Sequence, residues 1–326
     1  MPRASIKERT VKKLITKFRE GKIAEGNLIL ILLAIIILLA IFSPKFLTAN
    51  NIKNLVRQTS IIGIVAIGMT FVIISGGIDL SVGSILGVAS IVTSMLLAAG
   101  IPIIMAILVS MIICTLLGVV NGIIVFDGKV PSFIATLGMM TAARGIVMLV
   151  SDARMIAGLP RTFTNFAQIT ILGMPSLFFI WLLVIIATFV ITSQTVVGRN
   201  LFAFGSNPEA ARLSGINIRM LTYFIYGISG FMCSIAGILM TSRLSNGIPT
   251  AGSGYELDAI AAAVVGGASL SGGSGTIIGT VLGALLIAII RNGGNLLGIN
   301  PFILQISVGV LIVVSVMIDQ RRKASA

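Results

Sequence analysis

Apolar residues run through this chain in long blocks, punctuated by short polar or glycine-rich stretches. An apolar block of about 18 residues or more is a membrane-helix candidate, because a ~30 Å hydrocarbon core takes about 20 residues at ~1.5 Å each. The pattern predicts an all-α, polytopic membrane protein of about ten crossings, placed at 28–43, 58–76, 80–99, 102–126, 131–150, 175–193, 221–241, 256–271, 275–292 and 301–319. It divides the chain into a tail at 1–26, a membrane domain at 27–319 and a tail at 320–326.

One polar island, 194–220, separates the sixth and seventh blocks. Within it Asn207 is a good N-cap, Pro208 suits the first helical position and Glu209 places negative charge in the first turn. Gly215 is a stop at C′. The spacing predicts a helix of about two turns, too short to be stable alone in water. It must dock on something, and at a membrane face that is a partner protein.

Two further places break the apolar pattern without a long loop, Ser75–Ser84 and Val265–Ser274. Shifted by 190 positions they share Gly-Gly-x-x-Leu-Ser-x-Gly-Ser, a weak internal repeat. Paired glycine-interrupted spans point to a substrate path, where unwound backbone is covered by protein or water. Close packing through small residues is the competing reading. The candidate path residues are Gly76, Gly77, Asp79 and Ser81 in the first break, Gly266, Gly267 and Ser271 in the second, and Glu256.

Asp79, Asp127, Glu256 and Asp258 are the acids within or beside the spans. An acid at membrane depth is a functional candidate by default. Asp79 also reads as a cap for the span that follows it. Glu256 and Asp258 also read as first-turn charge on a helix dipole, and Asp127 with Lys129 as a plain turn. Asn292, Asn295 and Asn300 read as turn residues, and Phe178, Phe179 and Trp181 as an interfacial aromatic belt.

The net charge of +13 does not point to nucleic acid, because 8 of the 23 basic residues crowd into the first 22 positions and Arg321, Arg322 and Lys323 close the chain. Basic flanks mark the cytoplasmic side. Both termini and the loop 194–220 are expected there, with 151–174 outside; Lys45, Lys53 and Arg57 also fall outside and weigh against this. The first span is read as an uncleaved anchor. Cys114 and Cys233 sit in apolar segments and are expected to be inert. With no histidine, metal binding and hydrolysis are poorly supported, and no metal site is expected. No Walker A pattern is found; Gly122–Val130 comes nearest, with five residues between its glycines where four are needed.

Three motifs together, Gly76–Ser84, Gly205–Ile216 and Val265–Gly273, resemble the permease subunits of ABC sugar importers, in the ribose/xylose/arabinose/galactoside branch. The likeness covers about residues 25 to 320. It implies a permease without ATPase activity of its own, ATP and Mg2+ being held by a separate cytoplasmic ATPase. It also implies a second permease copy, an extracytoplasmic sugar-binding protein, and a multi-pass location in the bacterial inner membrane. By the match, Asn207, Pro208, Glu209, Ala210, Ala211, Arg212, Ser214 and Gly215 form the coupling helix on which the ATPase docks. The basic N-terminal tail is longer than the family leads one to expect.

The residues alone leave a second function open: an H+- or Na+-coupled secondary transporter with Asp79 or Glu256 as the ion-binding acid. A docking helix needs a partner, which favours the importer.

Overall fold

The computed structural model describes residues 25–324, so all but the last two positions of the predicted 1–26 tail lie outside the described residues, as do 325–326. Within them, seven helices are long and apolar enough to cross a membrane: α1 (Glu25–Phe42), α2 (Ala49–Ile74), α4 (Ile103–Phe126), α5 (Ser132–Val150), α7 (Ser176–Gln194), α10 (Ile218–Leu244) and α12 (Ile277–Leu296). Two shorter apolar stretches join them, α3 (Val82–Ala98) and the first part, Pro301–Met317, of α13 (Pro301–Ala324). The remaining elements are α6 (Arg161–Phe166), a hairpin of β1 (Thr170–Ile171) and β2 (Met174–Pro175), α8 (Val196–Ser206), α9 (Pro208–Leu213) and α11 (Tyr255–Val265).

The eighth predicted crossing, 256–271, takes a different form. Its helix, α11, has 11 residues, about 16 Å of rise and half of a ~30 Å core. The other half of the passage is made by the non-helical residues 245–254. Glycines at both ends explain the break: Gly252 and Gly254 turn the chain at φ +75° and +85°, and Gly267 stops the helix at φ +93°.

α2 is the centre of the bundle. Every residue from Thr59 to Ile74 is buried, so no face is left for lipid. α7, α10, α11 and α12 pack around it, and α3 lies against α10 and α4. α10 lies close against α4 because Gly118 and Gly230 have no side chains: a Cβ on either would fall on the facing backbone carbonyl, of Tyr226 and Cys114 respectively. α4, α5 and α7 turn apolar side chains such as Ile104, Ile146 and Leu183 outward. α1 is an outer helix; Leu28, Leu32 and Leu39 bury against Leu286 and Ile289 of α12.

Two sequence expectations change here. Trp181 is buried on Gly63, whose missing Cβ leaves room for the indole, so it belongs to the core and not to a belt. Asn292 is in α12 and exchanges two 2.9 Å hydrogen bonds with Asn51 of α2. Asn300 keeps its predicted turn role: its side chain accepts the amide of Phe302 at 2.9 Å, just before α13.

Candidate functional site

At one end of the bundle the chain leaves α7 and runs through two short helices. The polar island therefore holds α8 as well as the predicted α9. Thr195 starts α8 by accepting the Gly198 amide at 3.3 Å. The chain then straightens at Asn207, φ −158°, whose side chain accepts the Ala210 amide at 3.0 Å. Pro208 opens α9, and Glu209 pairs with Arg212 at 2.7 Å across one exposed turn. Their hydrogen bond and opposite charges hold the Arg212 guanidinium pKa above its ordinary value. Ser214 donates to the Ala210 carbonyl at 2.8 Å. Gly215, at φ +81°, completes a Schellman stop: its amide reaches Arg212 at 3.0 Å and that of Ile216 reaches Ala211 at 3.2 Å.

Of the six α9 residues only Ala211 is buried, and Leu213 is 78% exposed. Beside it runs a groove lined by Phe126, Pro208, Glu209, Arg212, Ile216 and Arg219. Its wall is fixed by the Asp127–Arg219 pair at 3.0 Å and by Tyr223, which donates to Asp127. Asp127 is thus more than a turn residue; it ties α4 to α10.

Both glycine breaks converge on this end. The Gly273 amide donates to the Ile74 carbonyl at 2.8 Å. Gly205, at the end of α8, fits between them: a Cβ there would fall on the Ile74 carbonyl and 2.7 Å from the Gly273 nitrogen. A Cβ on Gly272 would lie 2.6 Å from the Gly205 carbonyl and 3.1 Å from the Gly76 Cα. The ends of α2, α8 and the loop after α11 therefore meet as bare backbones.

The breaks are also built alike. Gly76 is the C′ residue of α2, with its own amide on Ile73 and that of Gly77 on Val72. Gly267 is the C′ residue of α11, with its amide on Val264 and that of Ala268 on Ala263. Conformation thus aligns Gly76 with Gly267, one position away from the sequence register, which aligns it with Gly266.

The eight candidate path residues do not form one lining. Gly76, Gly267 and Ser271 are exposed at the α9 end. Gly77 is buried with the Tyr226 hydroxyl 2.6 Å from where its Cβ would be, and Gly266 presses on the Gly279 carbonyl. Asp79 and Ser81 are fully buried. Asp79 Oδ1 accepts the Ser81 amide at 2.9 Å and hydroxyl at 2.5 Å; Oδ2 accepts the Ser229 hydroxyl at 2.8 Å. Asn121 donates to Ser81 at 2.9 Å. This network locks the non-helical link 75–81 to α4 and α10. Glu256 stands apart, half-buried, accepting the Gly254 amide at 3.2 Å.

Arg144 and Arg291 are charges inside the spans that the acids alone do not point to. Arg144, in mid-α5, donates to the carbonyls of Pro249 at 2.5 Å, Ala251 at 3.0 Å and Gly83 at 3.2 Å. Arg291 of α12 pairs with buried Asp258 at 2.6 Å, while Asp258 Oδ2 and Arg291 Nε are buried without a hydrogen-bond partner. The signal was a charge of either sign inside an apolar block.

A family model described as branched-chain amino acid transport system / permease component matches residues 51–317. A ribose import permease protein of Haemophilus influenzae is 45% identical over 294 residues, 88% of this chain and 91% of that protein. The ribose import permease protein of Bacillus subtilis is 41% identical, covering 90% of this chain and 92% of its own length. A D-allose transport system permease protein of Escherichia coli is 37% identical, covering 87% and 89%. No solved structure matches.

Proposed function

The chain belongs to the family of transport-system permease components, and from that premise we propose that it is the membrane subunit of an ABC importer that passes a ribose-like monosaccharide into the cytoplasm. The observation that carries the substrate class is the 38–45% identity to ribose import permeases over most of both chains. The chain carries out no covalent chemistry in this reading. A separate ATPase binds ATP and Mg2+, and its closure moves α9, whose capped ends and exposed Leu213 suit it as a rigid handle.

The partners follow from the same reading: the ATPase on the α8–α9 end, a sugar-binding protein on the opposite end, a second copy of the permease, and lipid around the apolar faces of α4, α5 and α7. The protein sits in the bacterial inner membrane with α9 and both termini in the cytoplasm. The secondary-transporter alternative loses support at Asp79, already occupied by three donated hydrogen bonds, which leaves Glu256 as its candidate acid.

The test is reconstitution with its ATPase and binding protein in proteoliposomes, followed by uptake of labelled D-ribose. Uptake is expected to need both partners and ATP, and to survive a protonophore. Uptake by the permease alone, abolished by that protonophore, would refute the importer reading.

A further inference from the structure

Residues 245–254 are non-helical, yet they run through the interior of the bundle. Gly247 packs against Ser90 and Ser94 of α3, and Gly252 against Gly83 at the start of α3. Arg144, which binds this segment, lies about 18 Å along α5 from Ser132. α11 then descends antiparallel to α12, with Asp258 on Arg291, Ala262 against Gly283 and Gly266 against Gly279. The start of α11 is therefore about 20 Å from the start of α12, near the middle of the membrane.

One side of this segment is fully accounted for. Gly247 exchanges 2.9 Å hydrogen bonds with Ile156, and the Ile248 amide reaches the Ser90 hydroxyl at 3.2 Å. The Pro249 and Ala251 carbonyls are taken by Arg144. Ala251 and Gly252 are buried. The other side is open: Thr250 and Ser253 are exposed at this depth, and Glu256 half-exposed. Irregular backbone and hydroxyls do not face lipid at mid-membrane; they face protein or water. Arg144 and Glu256, one of each sign, leave the lining without excess charge.

Resting on the importer reading above, we infer that residues 249–256 line the solute path at half depth, with Thr250, Ser253 and Glu256 offering hydrogen-bond partners to an uncharged polyhydroxy solute. Arg144 is the positioning residue that holds the segment. The path thus runs past the start of α11 and not through the buried Asp79 network.

The experiment places single cysteines at Thr250, Ser253 and, as a lipid-facing control, Ile146, in a Cys114→Ala, Cys233→Ala background. The complete complex in proteoliposomes is treated with a charged, membrane-impermeant methanethiosulfonate. Cysteines at 250 and 253 are expected to react at least about tenfold faster than the one at 146, since a thiolate forms only in water, and their modification should stop D-ribose uptake. Reaction as slow as at 146 in a complex that still imports D-ribose overturns the proposal. So does a spontaneous 253–253 disulfide between copies without labelling, which marks a covered interface. If 250 and 253 label but the unmodified complex takes up no D-ribose, the path stands and the sugar reading fails. Arg144→Gln should shift the labelling rate at 253 by about tenfold, the size expected from losing charged hydrogen bonds. Arg144→Lys serves if the Gln variant does not accumulate; an unchanged rate in both removes Arg144 from its positioning role.

Discussion

The Gly273 amide donates to the Ile74 carbonyl at 2.8 Å, joining the loop after α11 to the last residue of α2. Gly205 fits against both atoms, so a displacement of α8 and α9 reaches the end of α2 and the loop after α11 directly. Gly205→Val should strain this junction, overpacking it at a cost of about 1–3 kcal/mol. The purified complex is expected to melt at a lower temperature and to hydrolyse ATP with little D-ribose uptake. Gly138→Val, where a Cβ meets nothing within 4 Å, should leave both unchanged. Equal behaviour of the two variants would count against the junction.

The docking role of α9 rests on its exposure. Leu213→Asp removes the projecting apolar group without touching the core. The permease should accumulate and melt as before, but lose association with its ATPase in a pull-down. Glu209→Lys with Gly215→Val reverses the first-turn charge and forces a β-branched residue to φ +81°, costing about 1–2 kcal/mol or more locally. ATP-driven uptake at the normal rate in that double variant would remove α9 from the coupling role.

Orientation is checked by labelling from outside intact cells. Single cysteines at 5, 207 and 323 should be shielded, and one at Met155, exposed at the opposite end, should react. The reverse pattern would turn the molecule over and put α9 on the wrong side for an ATPase.

Asp79 separates structural from ion-binding roles. Its carboxylate accepts from the Ser81 amide and hydroxyl and from Ser229. Asn keeps an acceptor, and the Ser229 hydroxyl is free to rotate. Asp79→Asn is therefore expected to retain substantial uptake. Asp79→Ala leaves buried donors unmet, at about 1–3 kcal/mol each, and should reduce the folded protein in the membrane. Loss of uptake in a well-folded Asp79→Asn would restore the ion-coupled reading.

What the sequence reveals depends on how local the physics is. Asn207, Pro208 and Gly215 are readable because capping acts within a few residues of backbone. The long spans are readable because lipid imposes length and hydropathy. α8 escapes notice because Val196–Ser206 mixes apolar and polar positions, and nothing in it demands a helix except Thr195. The shortness of α11 is hidden because residues 259–268 are all apolar or glycine, and hydropathy does not distinguish a helix from its glycine-stopped extension. Arg144 vanishes in the average over an otherwise apolar block, although its single charge is what the non-helical segment needs. The meeting of Ile74, Gly205 and Gly273 joins residues far apart in the chain, and no local rule anticipates it.

Asp258 and Arg291 supply the last prediction. Asp258 is almost fully buried, its pair with Arg291 uses one oxygen and one nitrogen, and Oδ2 and Nε are left without partners. Such a pair contributes little net stability, since desolvation offsets the attraction. Removing one partner is another matter, because it strands a charge in the interior. Arg291→Met alone should cost about 3–5 kcal/mol, read as loss of folded permease or a sharply lower melting temperature. Asp258→Leu together with Arg291→Met removes both charges and should recover most of that loss. If the pair only holds α11 against α12, D-ribose uptake should recover along with folding. If the double variant folds but does not transport, the charges serve the transport cycle itself. A single Arg291→Met variant as stable as wild type would show that the stranded carboxylate finds water, and that α11 is wetter at Asp258 than its burial implies.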